Sequence, residues 1–181
     1  KQAKEQPDSS AEAQQSTDEA GKTLVVYYSA TGNTENVANY IAAATNGDLF
    51  KLEPTEPYSD ADLNWTDDNS RVVREHDNPD ERDIALVKST VENWDEYDTI
   101  FIGYPIWWGI AAWPVNGFIE ANDFTGKTVI PFCTYASTYR DETLAKIAEL
   151  TPAAGHRKGF GAVDKNTEGI EAWLKEIKLL K

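Results

Sequence analysis

A group of hydroxyl and amide side chains follows the first apolar segment of the chain, TLVVYY at residues 23–28. After this group, apolar residues return at the three- and four-residue spacing of a helix. Hydroxyls, amides and the free N–H groups at a helix N-terminus bind phosphate well. The turn at residues 29–34 is therefore a candidate phosphate site, where Gly32 permits close backbone approach or an unusual φ angle.

The same turn could act only as a helix cap, for which one serine, threonine or asparagine is enough. Several such residues around a glycine exceed that need, so we favour the phosphate site. The turn lacks the Gly-Lys-Ser/Thr ending of a Walker motif and the G-x-G-x-x-G pattern of dinucleotide sites. It also lacks lysine and arginine, which suits a phosphate that is held by hydrogen bonds and is not transferred.

Two further segments each follow a strand-like run. YPIWWG (104–109) comes after DTIFIG, and TYASTYR (134–140) comes after TVIPFC. Because the carboxyl ends of parallel strands meet at one edge of a sheet, all three segments would lie together there and could hold a phosphorylated planar heterocycle. Trp107 and Trp108 could instead be packing residues, although they lie outside any periodic element, between a proline and a glycine.

Strands and helices alternate from residue 22 onward. Apolar runs predict strands at 23–28, 48–54, 98–104, 127–133 and 157–163. Amphipathic spacing predicts helices at 34–45, 80–94, 111–122, 139–150 and 167–180. This alternation indicates an α/β fold with parallel βαβ units and helices on both faces of the sheet. Residues 57–75 are predicted to form a long loop, in which Tyr58 or Trp65 could cover a ligand or which could be a solvated connector.

The composition excludes several functions. The formal charge of −14 argues against a nucleic-acid partner, whose phosphates would be repelled, and fits basic protein partners. The single cysteine, Cys133, excludes an intrachain disulfide and a CxxC redox motif, so electron chemistry would need a bound cofactor. Cys133 ends an apolar strand and is expected to be buried and inert. The spacing of the histidines and acidic residues predicts no metal site.

Three of these segments resemble a known family. YYSATGNTENVA is similar to the flavodoxin fingerprint, T/S-x-T-G-N-T after the first strand. GYPIWWG and PFCTYAST are similar to the second and third cofactor loops of a short-chain bacterial branch of flavodoxin-like proteins. The resemblance covers about residues 22–181. It implies a doubly wound, five-stranded parallel sheet with strand order 2-1-3-4-5 and FMN at the carboxyl edge.

The resemblance also implies which residues bind FMN: the first segment would hold the phosphate, the second would line the ring system and the third would contact its pyrimidine side. In the second segment, the peptide after Trp108 would be able to rotate toward the flavin. The third departs from the usual glycine-rich pattern, because Thr138 and Tyr139 make it bulkier. The implied residues are Ser29, Ala30, Thr31, Gly32, Asn33, Thr34, Pro105, Ile106, Trp107, Trp108, Gly109, Thr134, Tyr135, Ala136 and Ser137.

The expected function is that of an FMN-binding electron carrier between redox partner proteins, in which the chain holds the cofactor and exposes one edge of its ring. An FMN-dependent NAD(P)H quinone or nitro-compound reductase is the alternative enzyme. A surface-tethered flavodoxin-like binding module without flavin is the alternative from another class.

Residues 1–21 have the composition of a linker, without valine, isoleucine, leucine or aromatic residues. Such a segment buries too little apolar surface to offset its ordering entropy, so we expect a flexible tether ahead of the domain at 22–181. The tether suggests a lipoprotein that is anchored to a bacterial cell surface outside the cytoplasm, after a signal segment with a lipid-bearing cysteine. A cytoplasmic protein with a natural tail is the alternative.

Overall fold

A mostly parallel sheet forms the centre of the domain in the computed structural model, which describes residues 21–137 and 141–181. The strands are β1 Lys22–Tyr27, β2 Asp48–Lys51, β3 Tyr97–Trp107, β4 Ile110–Ala111, β5 Thr128–Tyr135, β6 Gly155–His156 and β7 Phe160–Val163. The order across the sheet is β2-β1-β3-β5-β6, with β7 also beside β5. Among the strands of the described residues, only the short β4 is antiparallel, and it pairs with the end of β3.

Helices cover both faces of the sheet. They are α1 Asn33–Thr45, α2 Arg71–Asp77, α3 Pro114–Ala121, α4 Asp141–Leu150 and α5 Ile170–Glu176. Successive residues of β1 point to opposite faces: Val25 packs with α1 and α5, whereas Leu24 and Val26 pack with α3 and α4. Side chains of the central strands are fully buried on both faces, as expected for a parallel sheet. The predicted doubly wound α/β fold is therefore confirmed.

The strand count differs from the predicted five because β4 is an additional short strand and the last strand is split. If β4 is left out and β6 and β7 are counted as one strand, the order is the predicted 2-1-3-4-5. The split lies beside Pro131, which has no N–H to donate to a neighbouring strand. The backbone at Gly159 approaches Pro131 so closely that a Cβ there would lie 2.7 Å from the proline carbonyl oxygen.

The helix predicted at 80–94 is wrong. The middle of this segment is extended, because Val87 N–H donates to the Glu53 carbonyl at 2.8 Å, and Leu86 forms a bridge with Pro54. Short 3-10 turns lie at either end, at Pro79–Arg82 and Trp94–Glu96. Hydrogen bonds to a neighbouring segment thus replaced the helical ones that the local spacing suggested.

Helix α2 instead lies at the end of the predicted loop 57–75. The Ser70 hydroxyl caps it by accepting from Val73 N–H at 3.4 Å, and the buried side chains of Val72 and Val73 fix one face to the domain. The capping signal was present in the sequence, but the helix is too short for its spacing to stand out.

Cys133 is fully buried, as the sequence predicted, and burial raises the pKa of its thiol to about 12. No helix among the described residues is long and apolar enough to cross a membrane. The predicted tether, apart from Gly21, lies outside the described residues, as do Thr138 and Tyr139.

Gly103 in β3 allows an aromatic ring to lie on the backbone. A Cβ at this position would lie 2.1 Å from Cζ of Phe132, whose ring is fully buried. We predict that Gly103→Ala lowers the free energy of unfolding by about 1–3 kcal/mol, because the core must shift to admit the methyl group. The measurement is urea unfolding at equilibrium.

Gly155→Ala is the matched control, since the nearest heavy atom to its added Cβ would be 3.9 Å away. This variant should be neutral or slightly stabilising, by up to about 1 kcal/mol, because alanine restricts the unfolded chain. Equal destabilisation by the two substitutions would contradict the packing of Phe132 on Gly103.

Candidate functional site

A cleft of about 720 Å³ opens at the carboxyl ends of β1, β3 and β5. This is the edge of the sheet where the sequence predicted three segments to meet. Of the predicted site residues, all but Ser29 and Gly32 line the cleft. The lining is Ala30, Thr31, Asn33, Thr34, Leu63, Trp65, Val72, Pro105, Ile106, Trp107, Trp108, Gly109, Thr134, Tyr135, Ala136, Ser137 and Asp164.

Ser29 shapes the first turn from within. Its hydroxyl oxygen accepts from the N–H groups of Gly32 and Glu35, both at 3.1 Å, and it uses its own proton in neither bond. Gly32 has a φ of 94°, and no atom lies within 4 Å of the place where a Cβ would be. The glycine is therefore required by the backbone conformation and not by crowding. Thr31 and Asn33 are left on the cleft side of the turn.

Thr34 and Thr134 join the first segment to the third. Their hydroxyl oxygens lie 2.7 Å apart, and the two residues are 1% and 3% exposed. Thr34 is in the first turn of α1 and Thr134 is near the end of β5, so this buried hydrogen bond holds the helix N-terminus beside the strand end.

Trp108 and Gly109 form the tip of a tight hairpin between β3 and β4. Trp107 pairs with Ile110 across it, and the two tip residues have φ angles of 47° and 74°. Two successive positive φ angles are typical of a type I′ turn. A tryptophan in this region is strained, and such strain is retained where surrounding contacts enforce it.

The two tryptophans have different surroundings. Trp107 packs edge-on against Trp113, Tyr58 and Tyr28, with ring centroids 4.8–5.6 Å apart. Trp108 is 42% exposed and stacks on His76 at 4.4 Å. Trp107 is therefore both a packing residue and a wall of the cleft, whereas Trp108 presents a large part of its ring to solvent.

The cleft carries little charge. Asp164 is the only charged side chain among the described residues that line it. An anion in the cleft would therefore be held by N–H and O–H donors, and the first turn of α1 supplies N–H groups that have no acceptor within the helix.

A family model described as Flavodoxin matches residues 22–177. The chain belongs to the flavodoxin family.

Solved structures related to this flavodoxin-family chain include a candidate flavoprotein from Bacteroides eggerthii. That protein is 39% identical, the match covers 87% of this chain and 98% of that chain, and the TM-score is 0.77. A flavoprotein from Lactobacillus acidophilus, solved in complex with FMN, is 24% identical, with coverage of 85% and 99% and a TM-score of 0.63. No curated protein sequence gives a significant match.

Four residues line the cleft of this flavodoxin-family domain without having been predicted as site residues. Asp164 follows β7 at the same sheet edge, so the strand-end argument could have found it. For Trp65 the sequence predicts a role only as a cover over a ligand, and its side chain is 71% exposed. The sequence did not indicate that Leu63 and Val72 would line the cleft. Both lie in the predicted loop, where the spacing of apolar residues does not show in which direction the chain folds. Tyr58, the other possible cover, does not line the cleft.

We predict that Thr34→Val and Thr134→Val each lower the free energy of unfolding by about 1–3 kcal/mol, because each leaves a buried hydroxyl without its partner. The double variant should lose clearly less than the sum of the two, since neither hydroxyl then remains. A double-mutant cycle by urea unfolding measures the coupling. Strictly additive losses would show that the two hydroxyls do not interact in solution.

Proposed function

We propose that the chain binds FMN in the cleft and works as an electron-transfer protein. One observation carries the proposal: the donor-rich turn before α1 and the tryptophan hairpin after β3 line the same cleft. The cleft volume of about 720 Å³ is in the range of small-molecule sites. The FMN complex of the Lactobacillus acidophilus flavoprotein supports the choice of cofactor.

The residues present fit FMN in chemistry. Thr31, Asn33 and the first turn of α1 would donate hydrogen bonds to the phosphate. The apolar walls at 105–109 would accommodate the ring system, and the backbone and hydroxyls at 134–137 would contact its polar edge. Bound FMN would supply the uptake and release of electrons, which the protein side chains of the cleft do not offer themselves.

The charge of the chain supports a carrier that donates electrons. With a net charge of −14 and Asp164 in the cleft wall, added negative charge in the cleft is disfavoured. A bound cofactor would therefore be a stronger reductant than it is in water. Basic surfaces on partner proteins would be attracted to the acidic surface of the domain.

The alternative reductase has one observation in its favour. Leu63, Trp65 and Val72 extend the cleft with apolar surface beyond the two predicted ring-binding segments. A second planar molecule, such as a quinone or nitro compound, could contact this surface.

The first test is a fluorescence titration with FMN. We predict that Thr31→Ala weakens FMN binding by roughly 10- to 100-fold, because one hydrogen bond to a charged oxygen is lost. Thr31→Ser should restore most of the affinity. Thr90→Ala is the control, because Thr90 is exposed and is not among the residues that line the cleft. This variant should bind FMN as the native protein does. Equal affinity of Thr31→Ala and native protein, or tighter binding of FAD than of FMN, would contradict the assignment.

The second test separates a carrier from a reductase. We predict that the FMN-loaded protein is reduced by dithionite but not at a useful rate by NADH or NADPH, with or without a quinone. Its midpoint potential should rise as ionic strength increases from 0.01 to 1 M. The Debye length then falls from about 30 to 3 Å, so that salt screens the negative charges of the protein from the cofactor. Multiple turnovers with NAD(P)H and quinone would favour the reductase.

We also propose that the domain is tethered at the surface of a bacterial cell. The linker composition of residues 1–21 supports this location, since a tether lets a domain reach partners away from a membrane. Fractionation of cells that express the full-length gene product tests it, and recovery in the cytosol would contradict it.

A further inference from the structure

A buried carboxylate lies behind the tryptophan hairpin. Glu75 in α2 is only 3% exposed, and its carboxylate accepts hydrogen bonds from three side chains. Trp113 Nε1 donates at 3.2 Å, Arg71 Nε donates at 3.2 Å, and the Tyr58 hydroxyl is the third donor. None of these groups follows from a flavin-binding motif in the sequence.

The two aromatic donors both contact the tryptophans of the cleft. Trp113 stacks on Trp108 with ring centroids 6.2 Å apart and an interplanar angle of 18°, and it meets Trp107 edge-on at 4.8 Å. Tyr58 meets Trp107 edge-on at 5.4 Å. One carboxylate therefore fixes the orientation of both rings that support the hairpin.

Two arginine side chains also contact the rings of Tyr58 and Trp113. The Arg71 guanidinium lies 3.8 Å from the centroid of the Tyr58 ring, and its Nη1 donates to the Glu56 carbonyl at 2.7 Å. The Arg82 guanidinium lies 5.1 Å from the Trp113 centroid and donates to the Glu75 and His76 carbonyls. These contacts tie α2 to the rings beneath the hairpin, and cation–π contacts add to that attachment.

Tyr58 and Trp113 both keep the protons that they donate to Glu75. Burial, together with the hydrogen bond to Glu75, raises the pKa of Tyr58 far above its ordinary value, so its hydroxyl keeps its proton. An indole N–H can only donate. With Arg71 as its ion pair, the buried carboxylate of Glu75 has a complete set of partners.

We propose that Glu75 is a positioning residue for the cofactor cleft, whose carboxylate holds Tyr58 and Trp113 against Trp107 and Trp108. The plain alternative is that the Glu75–Arg71 pair only stabilises α2. Buried ion pairs are weak stabilisers compared with apolar packing, and their better-supported use is to select one arrangement of the structure. The strained φ of Trp108 needs such enforcement, because isolated tight turns with a tryptophan at this position would relax.

The test is Glu75→Gln, with Glu81→Gln as control. Glutamine keeps the size of the side chain and one accepting oxygen, but it presents an amide to Arg71. Glu81 is a half-exposed glutamate next to the same helix, where it pairs with Arg74 on the surface. Incorporation of 5-fluorotryptophan gives each tryptophan its own fluorine NMR line, and single Trp→Phe variants assign the lines.

We expect the lines of Trp107, Trp108 and Trp113 to shift or broaden in Glu75→Gln, while those of Trp94 and Trp173 stay in place. The control should leave all the lines unchanged. Because Trp113 bonds to Glu75 directly, its line moves under either reading, and the lines of Trp107 and Trp108 decide. If both stay unmoved in a folded Glu75→Gln protein, the proposal is overturned, whatever happens to the stability of the protein.

The cofactor measurement rests on the proposed function. If the native protein binds FMN, Glu75→Gln should release it about tenfold faster, because the charged hydrogen bonds that orient the wall are weakened. An unchanged release rate would overturn the positioning role. If the native protein does not bind FMN, the proposed function fails, and the fluorine lines still decide whether Glu75 positions the rings.

If Glu75→Gln does not fold, Tyr58→Phe provides the same test. It removes only the hydroxyl donor and leaves no charge unpaired. It should move the Trp107 line and leave those of Trp94 and Trp173 in place. An unmoved Trp107 line would overturn the proposal.

Discussion

The cleft depends on the parallel register of three neighbouring strands. Tyr27 in β1 lies opposite Gly103 in β3, and Pro105 in β3 lies opposite Thr134 in β5. A shift of one residue would turn every side chain of a strand to the other face of the sheet, so burial on both faces fixes the register. The three segments of the cleft leave the sheet at this common edge. Their relative positions are therefore set by backbone hydrogen bonds in the sheet, and the Thr34–Thr134 bond adds a side-chain link between two of them.

The parts of the fold and site that could be predicted are those that follow from strand ends. Thr31, Trp108 and Ser137 each come after an apolar run, and no knowledge of the packing is needed to place them at one edge of the sheet. Asp164 follows the same rule after the last strand. Leu63 and Val72 could not be placed this way, because only tertiary contacts decide how the chain from the end of β2 through the start of α2 returns over the cleft. The buried role of Glu75 was hidden for the same reason.

The segment at 80–94 shows how local spacing fails. Its apolar residues recur as in a helix, yet Ile84 is buried beside Trp113 and Val87 donates to a strand-like neighbour. Backbone groups must be paired wherever the chain is buried, and a neighbouring extended segment provided their partners here.

The two adjacent tryptophans were also difficult to interpret from the sequence. Their identical type suggested one shared role, whereas Trp107 is packed among three aromatic rings and Trp108 is at the strained tip of a hairpin.

The broken last strand has a consequence for the behaviour of the protein at high concentration. Open sheets expose unpaired N–H and C=O groups along their outer strands, and a long flat outer strand can pair with that of another molecule. Here β2 forms one edge with four residues. At the other edge the ladder along β5 is interrupted beside Pro131, which leaves β6 with two residues and β7 with four. An edge made of such short pieces is a poor template for intermolecular β-pairing. Pro131, which has no N–H to donate to a neighbouring strand, thus helps to keep a strongly apolar sheet from aggregating.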